Sequence, residues 1–317
     1  MPFNFATRCW FLTGPTASGK SSVGIELARK LEAEIVSLDS MAVYRGMDIG
    51  TAKPTADQRQ AVPHHLIDIV EPHQEFSLAQ YLALAERCVT EILSRGRQVL
   101  FVGGTPLYLK GLLRGIFEGP TADWSFRHAL ANQSQQHGDG WLHQRLAEVD
   151  PTAAAKLHPN DTRRLIRALE VYEMTGQPIS ALQAQFEIGR SAEECRVFVL
   201  DWPRAELHQR IQQRVEEMFA AGLVHEVRGL LAANQPLSKT ARQAVGYREV
   251  IDHLNGHYSL AEAVELVDRH TRQLAKRQNT WFRSLSECRF FAMHQGLSPA
   301  EVGDVLLGPS GPAAKLR

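Results

Sequence analysis

Excess charge of either sign, paired cysteines and long apolar runs are all missing from this 317-residue chain. Lys+Arg and Asp+Glu stand at 35 each, so no net field draws the molecule to nucleic acid and any basic surface has to be local. The four cysteines, Cys9, Cys88, Cys195 and Cys288, are scattered, with no C-x-x-C pair and no His/Cys spacing that suits zinc. That pattern fits a reducing compartment. His64 and His65 are adjacent on a strand-like run and point to opposite faces, which argues against a shared metal. No run of about 18 apolar residues occurs, and Arg8 interrupts the stretch where a signal peptide needs its apolar core. The expectation is a cytoplasmic protein without a membrane partner. There is no internal repeat.

What is present is a hydrophobic content of 44%, enough for one large core or two modest ones. Short apolar runs alternate with helical patterns: CWFLT, a helix from Gly19 to about Leu31, EIVSL, HLIDIV, a helix from Ser77 to Arg95, then QVLFVGG. This is α/β wiring. Strand-like runs return only at RVFVLDW and CRFFAM, and the segment between reads as helical. The expected fold is a P-loop NTPase-like parallel sheet flanked by helices, carried by residues 1–120 and 190–308. An all-helical subdomain is inserted at 121–189, and a disordered tail is expected at 309–317. In the insertion, Asn160-Asp161 can cap TRRLIRALEVYEMTG, whose Leu165, Leu169 and Tyr172 share a face and which stops at Gly176.

FLTGPTASGKSS supplies the strongest motif. Gly14, Pro15, Thr16, Ala17, Ser18, Gly19, Lys20 and Ser21 satisfy G-x-x-x-x-G-K-[ST], after a strand and before a helix. Glycines let backbone N–H groups converge on phosphate oxygens. The helix N-terminus and Lys20 add positive charge, and Ser21 can ligate Mg²⁺. The motif alone leaves open whether a nucleoside triphosphate is cleaved, its phosphoryl group transferred, or a diphosphate merely held. A nucleotide hydrolase usually has a second strand ending in Asp for Mg²⁺, and here QVLFV runs into Gly103-Gly104-Thr105. No Asn-Lys-x-Asp guanine reader is present either. A small-molecule kinase stays open on these residues alone.

EIVSL ends at Asp39-Ser40, and in a parallel sheet the carboxyl ends of neighbouring strands open on one crevice. From position, Asp39 could hold Mg²⁺, cap the next turn or act as a general base. Thr105 points into the same crevice or caps the helix PLYLKGLL.

Seven segments in order, GPTASGKS, DSMAVYRGMDIGTAKP, PHHLIDI, GGTPLYLKGLL, HPNDTRRLIRALE, QAVGYRE and TRQLAKRQNTWFR, span residues 11 to 290 or so. Together they resemble the bacterial tRNA dimethylallyltransferase family, also called IPP transferases. The resemblance implies transfer of a dimethylallyl group from dimethylallyl diphosphate to N6 of the adenosine 3′-adjacent to the anticodon. That adenosine is position 37, in tRNAs reading codons that begin with U, and diphosphate is released without use of ATP. It implies Mg²⁺ as cofactor, a tRNA anticodon stem-loop as partner and a monomer. Gly14 to Ser21 would hold the diphosphate, with Ser21 on the metal. Lys20 and Arg214 would stabilise the leaving group, Asp39 would be the base, and Thr105 would sit at the reacting amine. Arg210, one turn before Arg214, is an equal claimant on residues alone. The tRNA-contacting positions implied are Asp39, Ser40, Met41 and Ala42; Thr105; Arg127; Arg163, Arg164, Leu165, Ile166 and Arg167; Gln243, Ala244, Val245, Gly246, Tyr247 and Arg248; and Lys276, Arg277, Gln278, Asn279, Thr280, Trp281, Phe282 and Arg283.

The last group lies on a patterned helix. Arg269, Arg272, Lys276 and Arg283 fall on one face, and Val267, Leu274, Trp281 and Leu285 on the opposite one. With no acidic residue from Arg269 to Ser286, the face reads as uncompensated charge suited to a phosphate backbone. Gly246 has a competing explanation, a backbone that requires glycine.

Overall fold

A computed structural model describes residues 7–308 apart from 118 and 187; the tail expected at 309–317 lies outside the described residues. Two compact units emerge, one from Met1–Leu113 with Arg190–Arg317, the other Arg114–Gly189. The second unit thus starts at Arg114, beside an expected start at 121.

In the first unit the six apolar runs form six parallel strands: β1 Trp10–Thr13, β2 Ala33–Ser37, β3 His64–His65, β4 Gln98–Gly103, β5 Val197–Asp201 and β6 Cys288–Ala292. Their order is β3-β2-β4-β1-β5-β6, so the expected P-loop-like parallel sheet is borne out. β1 is central, with Phe11 in register with Phe101 on one side and Val197 on the other. Every residue of β1 and β2 is buried, as helices on both faces require. β3 is shorter than HLIDIV suggests because Leu66 (φ 60°) and Asp68 (φ 57°) take left-handed conformations that end pairing.

Helix α1 (Lys20–Leu31) follows β1 and buries Val23, Leu27 and Leu31 against the sheet. Gly24 lets it lie on β4, since a Cβ there would stand 2.9 Å from Val102. On the other side Tyr81, from the helix Leu78–Ser94, stacks on Tyr108 and donates its hydroxyl to Ser37 O (2.9 Å), fixing the carboxyl end of β2. The 24-residue helix Leu260–Arg283 starts at a Ser259/Glu262 capping box.

The second unit contains the helices Trp124–His137, Trp141–Val149, Pro151–Lys156, Thr162–Thr175 and Ile179–Gln183 around Leu130, Leu142, Leu146, Leu165 and Leu169. Asp161 caps the fourth, accepting from Arg164 N, and Gly176 at φ 68° ends it. Glu170, with its side chain fully buried, takes a bidentate pair from Arg127 (2.8 Å to each oxygen), a bond from Arg167 and one from Asp123 N. Burial pushes its carboxyl up, but the two guanidiniums outweigh that and hold it below the ordinary 4.5. A depressed carboxyl stabilises above its unfolded value and is lost as pH falls through the lower folded one. Glu170→Ala is expected to cost this unit about 3 kcal/mol, the low end for a broken buried pair because both arginines can turn to water. Thermal melting of the full chain from pH 7 down to 4 checks this: the variant should melt earlier at neutrality and lose less on acidification.

Candidate functional site

The carboxyl ends of β1, β2 and β4 open on a cleft of about 400 Å³ whose lining includes Thr16, Lys20, Ser21, Asp39, Thr105 and Arg214. The segment Gly14–Gly19 turns from β1 into α1 through backbone that needs glycine: Gly14 has φ 152° and Gly19, at the helix N-cap, φ 85°. No side chain caps α1. Its first amides are therefore left for a ligand. Ser21, in the first helical turn, is exposed at the cleft.

Lys20 reaches back to Pro15 O at 3.1 Å. Burial and the neighbouring Arg214 push its ammonium down to about 8, with Asp39 opposing. Arg214, on the helix Arg204–Ala220, is likewise lowered by burial, and its Nε is buried without a hydrogen-bond partner among the described residues. Two cations crowd each other beside unspent donors. Such an arrangement is costly when empty and suits a polyanion.

Arg210 faces elsewhere. Its Nε donates to Ala17 O at 2.8 Å and its guanidinium lies 4.4 Å over Trp202, so it clamps the loop from behind while Arg214 lines the cleft. Geometry separates two arginines that the sequence left equal.

Asp39 is both a turn cap and a cleft residue. Oδ1 accepts from Met41 N (2.8 Å) and Ala42 N (3.3 Å), and Oδ2 takes no hydrogen bond among the described residues. Thr105 does not cap its helix with its side chain. Its Oγ1 accepts from Ser40 N (3.0 Å) and donates to Ser40 Oγ (3.3 Å), joining the ends of β2 and β4 across the cleft. The absent second-strand acid has a steric reason as well. A Cβ at Gly103 would stand 2.2 Å from Leu38 O, and one at Gly104 3.3 Å from Lys20 Cε, so no carboxylate fits at that strand end.

A wall that sequence reasoning left unassigned comes from DIGTAKP. Glu226 accepts from three consecutive amides, Asp48 (2.9 Å), Ile49 (2.7 Å) and Gly50 (3.3 Å), and from Tyr247 OH (2.6 Å). Tyr247's ring covers Gly50, where a Cβ would meet it at 2.4 Å, and Lys53, with its side chain 2% exposed, ties Asp48 to Asp68. In the sequence only Gly50 signals this; the burial of Lys53 emerges in the fold.

Several positions expected to touch RNA have buried side chains: Leu165, Tyr247 and Phe282 at 0%, Ala244 and Ile166 at 8% and Gln278 at 9% exposed. Leu165, Ile166 and Phe282 pack the elements that carry their exposed neighbours, whereas Ala244, Tyr247 and Gln278 line the cleft. Trp281, expected to pack, is 39% exposed, and Phe282 takes its place in the core. The reason is the helical phase: the buried line runs Ala263, Val267, Ala275, Gln278, Phe282. The charge on this helix is also partly compensated from outside the acid-free window, Arg272 by Asp268 (2.7 Å) and Arg283 by Asp201 (2.9 Å). Arg269, Lys276 and Arg277 remain exposed, and Arg277 lines the cleft. Gln243 and Val245 line it too, as do Ser40, Met41 and Ala42. Arg248 is held by Glu249, Asn279 Oδ1 is buried without a partner among the described residues, and Thr280 bonds Lys276 O. Gly246 sits at φ 95° as the N-cap of Tyr247–Leu254, which accounts for it by backbone alone. In the second unit, Arg127 and Arg167 are committed to Glu170 and Arg164 to Asp161, leaving Arg163 exposed without an ion pair among the described residues. His65 pairs with Glu34 while His64 lines the cleft.

The sequence profile described as IPP transferase matches residues 42–285. A relative from Rhodopirellula baltica named tRNA dimethylallyltransferase is 57% identical over 286 residues, 88% of this chain and 86% of its own. The crystal structure of a tRNA isopentenylpyrophosphate transferase from Bacillus halodurans is 38% identical and superposes with a TM-score of 0.68 over 95% of this chain and 96% of that one. A eukaryotic dimethylallyltransferase acting on tRNA, 26% identical, superposes at 0.75 over 90% of this chain and 73% of its own.

Proposed function

This chain belongs to the IPP transferase family, and from that premise we infer that it transfers a dimethylallyl group to N6 of a tRNA adenosine. The donor in this reading is dimethylallyl diphosphate, and the acceptor is the adenosine 3′-adjacent to the anticodon, position 37, in tRNAs reading codons that begin with U. One observation carries it: two mutually repelling cations, Lys20 and Arg214, line the cleft beside the uncapped amides at the start of α1 and a carboxylate oxygen of Asp39 without a partner among the described residues.

The chemistry balances on these residues. As the allylic C1–O bond breaks, the electron pair leaves with the diphosphate, where Lys20, Arg214 and the loop's N–H groups at the start of α1 receive the growing charge. The N6 lone pair forms the new C–N bond, and the N6 proton passes to Asp39 Oδ2. Thr105, held by Ser40, stands at the same mouth to orient the amine. The adenine has to leave its stack to reach the cleft, a small cost in a single-stranded loop.

Mg²⁺ fits this donor set. Ser21 offers an exposed hydroxyl beside the cradle, and Mg²⁺ commonly rides on substrate phosphates with one protein ligand and several waters. Once bound, it would neutralise charge on the departing diphosphate. The reading further places the protein in the cytoplasm as a monomer. No helix among the described residues is long and apolar enough to cross a membrane.

The test incubates the full chain with labelled dimethylallyl diphosphate, Mg²⁺ and an anticodon stem-loop. Label is expected in the RNA with one diphosphate released per transfer, and added ATP should stay intact. Label confined to the small molecule, or ADP appearing in step with product, would overturn the reading in favour of a kinase.

A further inference from the structure

Gln278 occupies a place that its exposed neighbours do not explain. It is 9% exposed on the helix Leu260–Arg283, directly after the exposed cations Lys276 and Arg277. Its carboxamide makes two bonds to the site. Oε1 accepts from Thr16 N at 2.9 Å, inside the glycine loop, and Nε2 donates to Gly104 O at 2.6 Å, one residue before Thr105. The fit is tight, since a Cβ at Gly104 would stand 2.9 Å from Nε2. An acceptor and a donor side by side are what only a carboxamide supplies here; a carboxylate would face Gly104 O with a second acceptor, and a lysine would face Thr16 N–H with a second donor.

Thr16 N–H belongs to the same run of amides that the proposed reading assigns to diphosphate, and one amide hydrogen serves one strong acceptor well. While Gln278 holds it, the cradle is one donor short. Lys276 and Arg277 form no ion pair among the described residues, in contrast to Arg272 and Arg283 on the same helix. They are therefore available to a phosphate backbone.

We propose that Gln278 is a positioning residue that withholds the Thr16 amide from diphosphate until RNA engages Lys276 and Arg277, so that the two substrates bind with positive coupling. This rests on the tRNA prenylation reading and adds to it a residue that links one substrate to the other. The coupling is reciprocal by thermodynamic necessity: RNA tightens diphosphate by the factor by which diphosphate tightens RNA.

The experiment titrates inorganic diphosphate with Mg²⁺ by calorimetry, with and without saturating anticodon stem-loop, into the wild type and Gln278→Met. In the wild type the stem-loop should tighten diphosphate at least about 5-fold, within the roughly 5- to 150-fold usual for coupled sites. Gln278→Met, which frees Thr16 N–H, should bind diphosphate without RNA as tightly as the wild type does with RNA, and the stem-loop should add nothing more. A gain of affinity is not what mere loosening of the fold produces. Weaker diphosphate binding in the variant, a preserved RNA enhancement, or no enhancement in the wild type would each overturn the proposal. Hydrogen exchange on the wild type serves if the variant does not fold: the stem-loop alone should lower protection at Thr16 N–H while leaving the amides of Val23–Leu27 unchanged, and an unchanged Thr16 would sink the idea. A wild type that binds both ligands yet transfers no label would instead count against the prenylation reading.

Discussion

Asp39→Asn lowers the single-turnover rate of prenyl transfer by about 10²- to 10⁴-fold, the usual weight of a general base, and leaves stem-loop affinity within a factor of about two. The asymmetry comes from the two carboxylate oxygens. Oδ1 caps the turn into Met41 and Ala42, and an asparagine carbonyl keeps those two bonds. Oδ2 has no partner among the described residues and becomes an amide, which cannot take the N6 proton. Rapid-quench measurement of labelled RNA, paired with a filter-binding titration, separates the outcomes. A variant that transfers at the wild-type rate would leave Asp39 as a turn cap alone. One that binds RNA poorly and reacts normally once bound would make it an RNA contact.

Lys20→Met abolishes most of the activity and at the same time raises the melting temperature of the ligand-free protein. The loss follows from removing the full charge that meets the leaving diphosphate, about 10²- to 10³-fold in rate for a single stabilising donor in a shielded site. The gain follows from the cost of keeping an ammonium in an empty cleft against Arg214, visible as the fall of its pKa to about 8. Methionine fills similar volume without charge. The sign of the pH dependence is fixed by the same shift. Between about 8 and the ordinary 10.5 the unfolded chain binds the proton that the folded chain has released, so stability from this group rises with pH across that window. Wild type and variant should therefore converge in melting temperature as pH goes from 7 to 10. Added diphosphate should restore the wild-type advantage at pH 7, since the anion pairs the charge. Equal melting temperatures at pH 7 without ligand would show that the cleft hydrates Lys20 fully.

Much of the molecule is legible because its signals are local. Six apolar runs became six strands, since a buried parallel strand needs an unbroken apolar stretch and little else. The glycine loop was readable because positive φ at Gly14 and Gly19 admits few other residues. Less legible were charges whose partners lie far along the chain. The acid-free run from Arg269 to Ser286 suggested an open basic face, yet Asp201, at the end of β5, answers Arg283. Trp281 and Phe282 exchanged their expected places because one residue of helical phase, about 100°, decides which ring meets the core.

The amino-acid sequence by itself determined the parallel sheet, the anion cradle after its first strand, and the family, all of which rest on residue types at short, fixed spacing. Only the tertiary structure decided that Arg214 rather than Arg210 lines the cleft, that Thr105 braces Ser40, and that Glu226 holds the 48–50 amides. It also decided that Gln278 reaches Thr16 across 262 positions. The physical reason is the reach of the forces. Backbone conformation and apolar periodicity act within a few residues, whereas a hydrogen bond or ion pair is satisfied by whichever group the folded chain brings within about 3 Å.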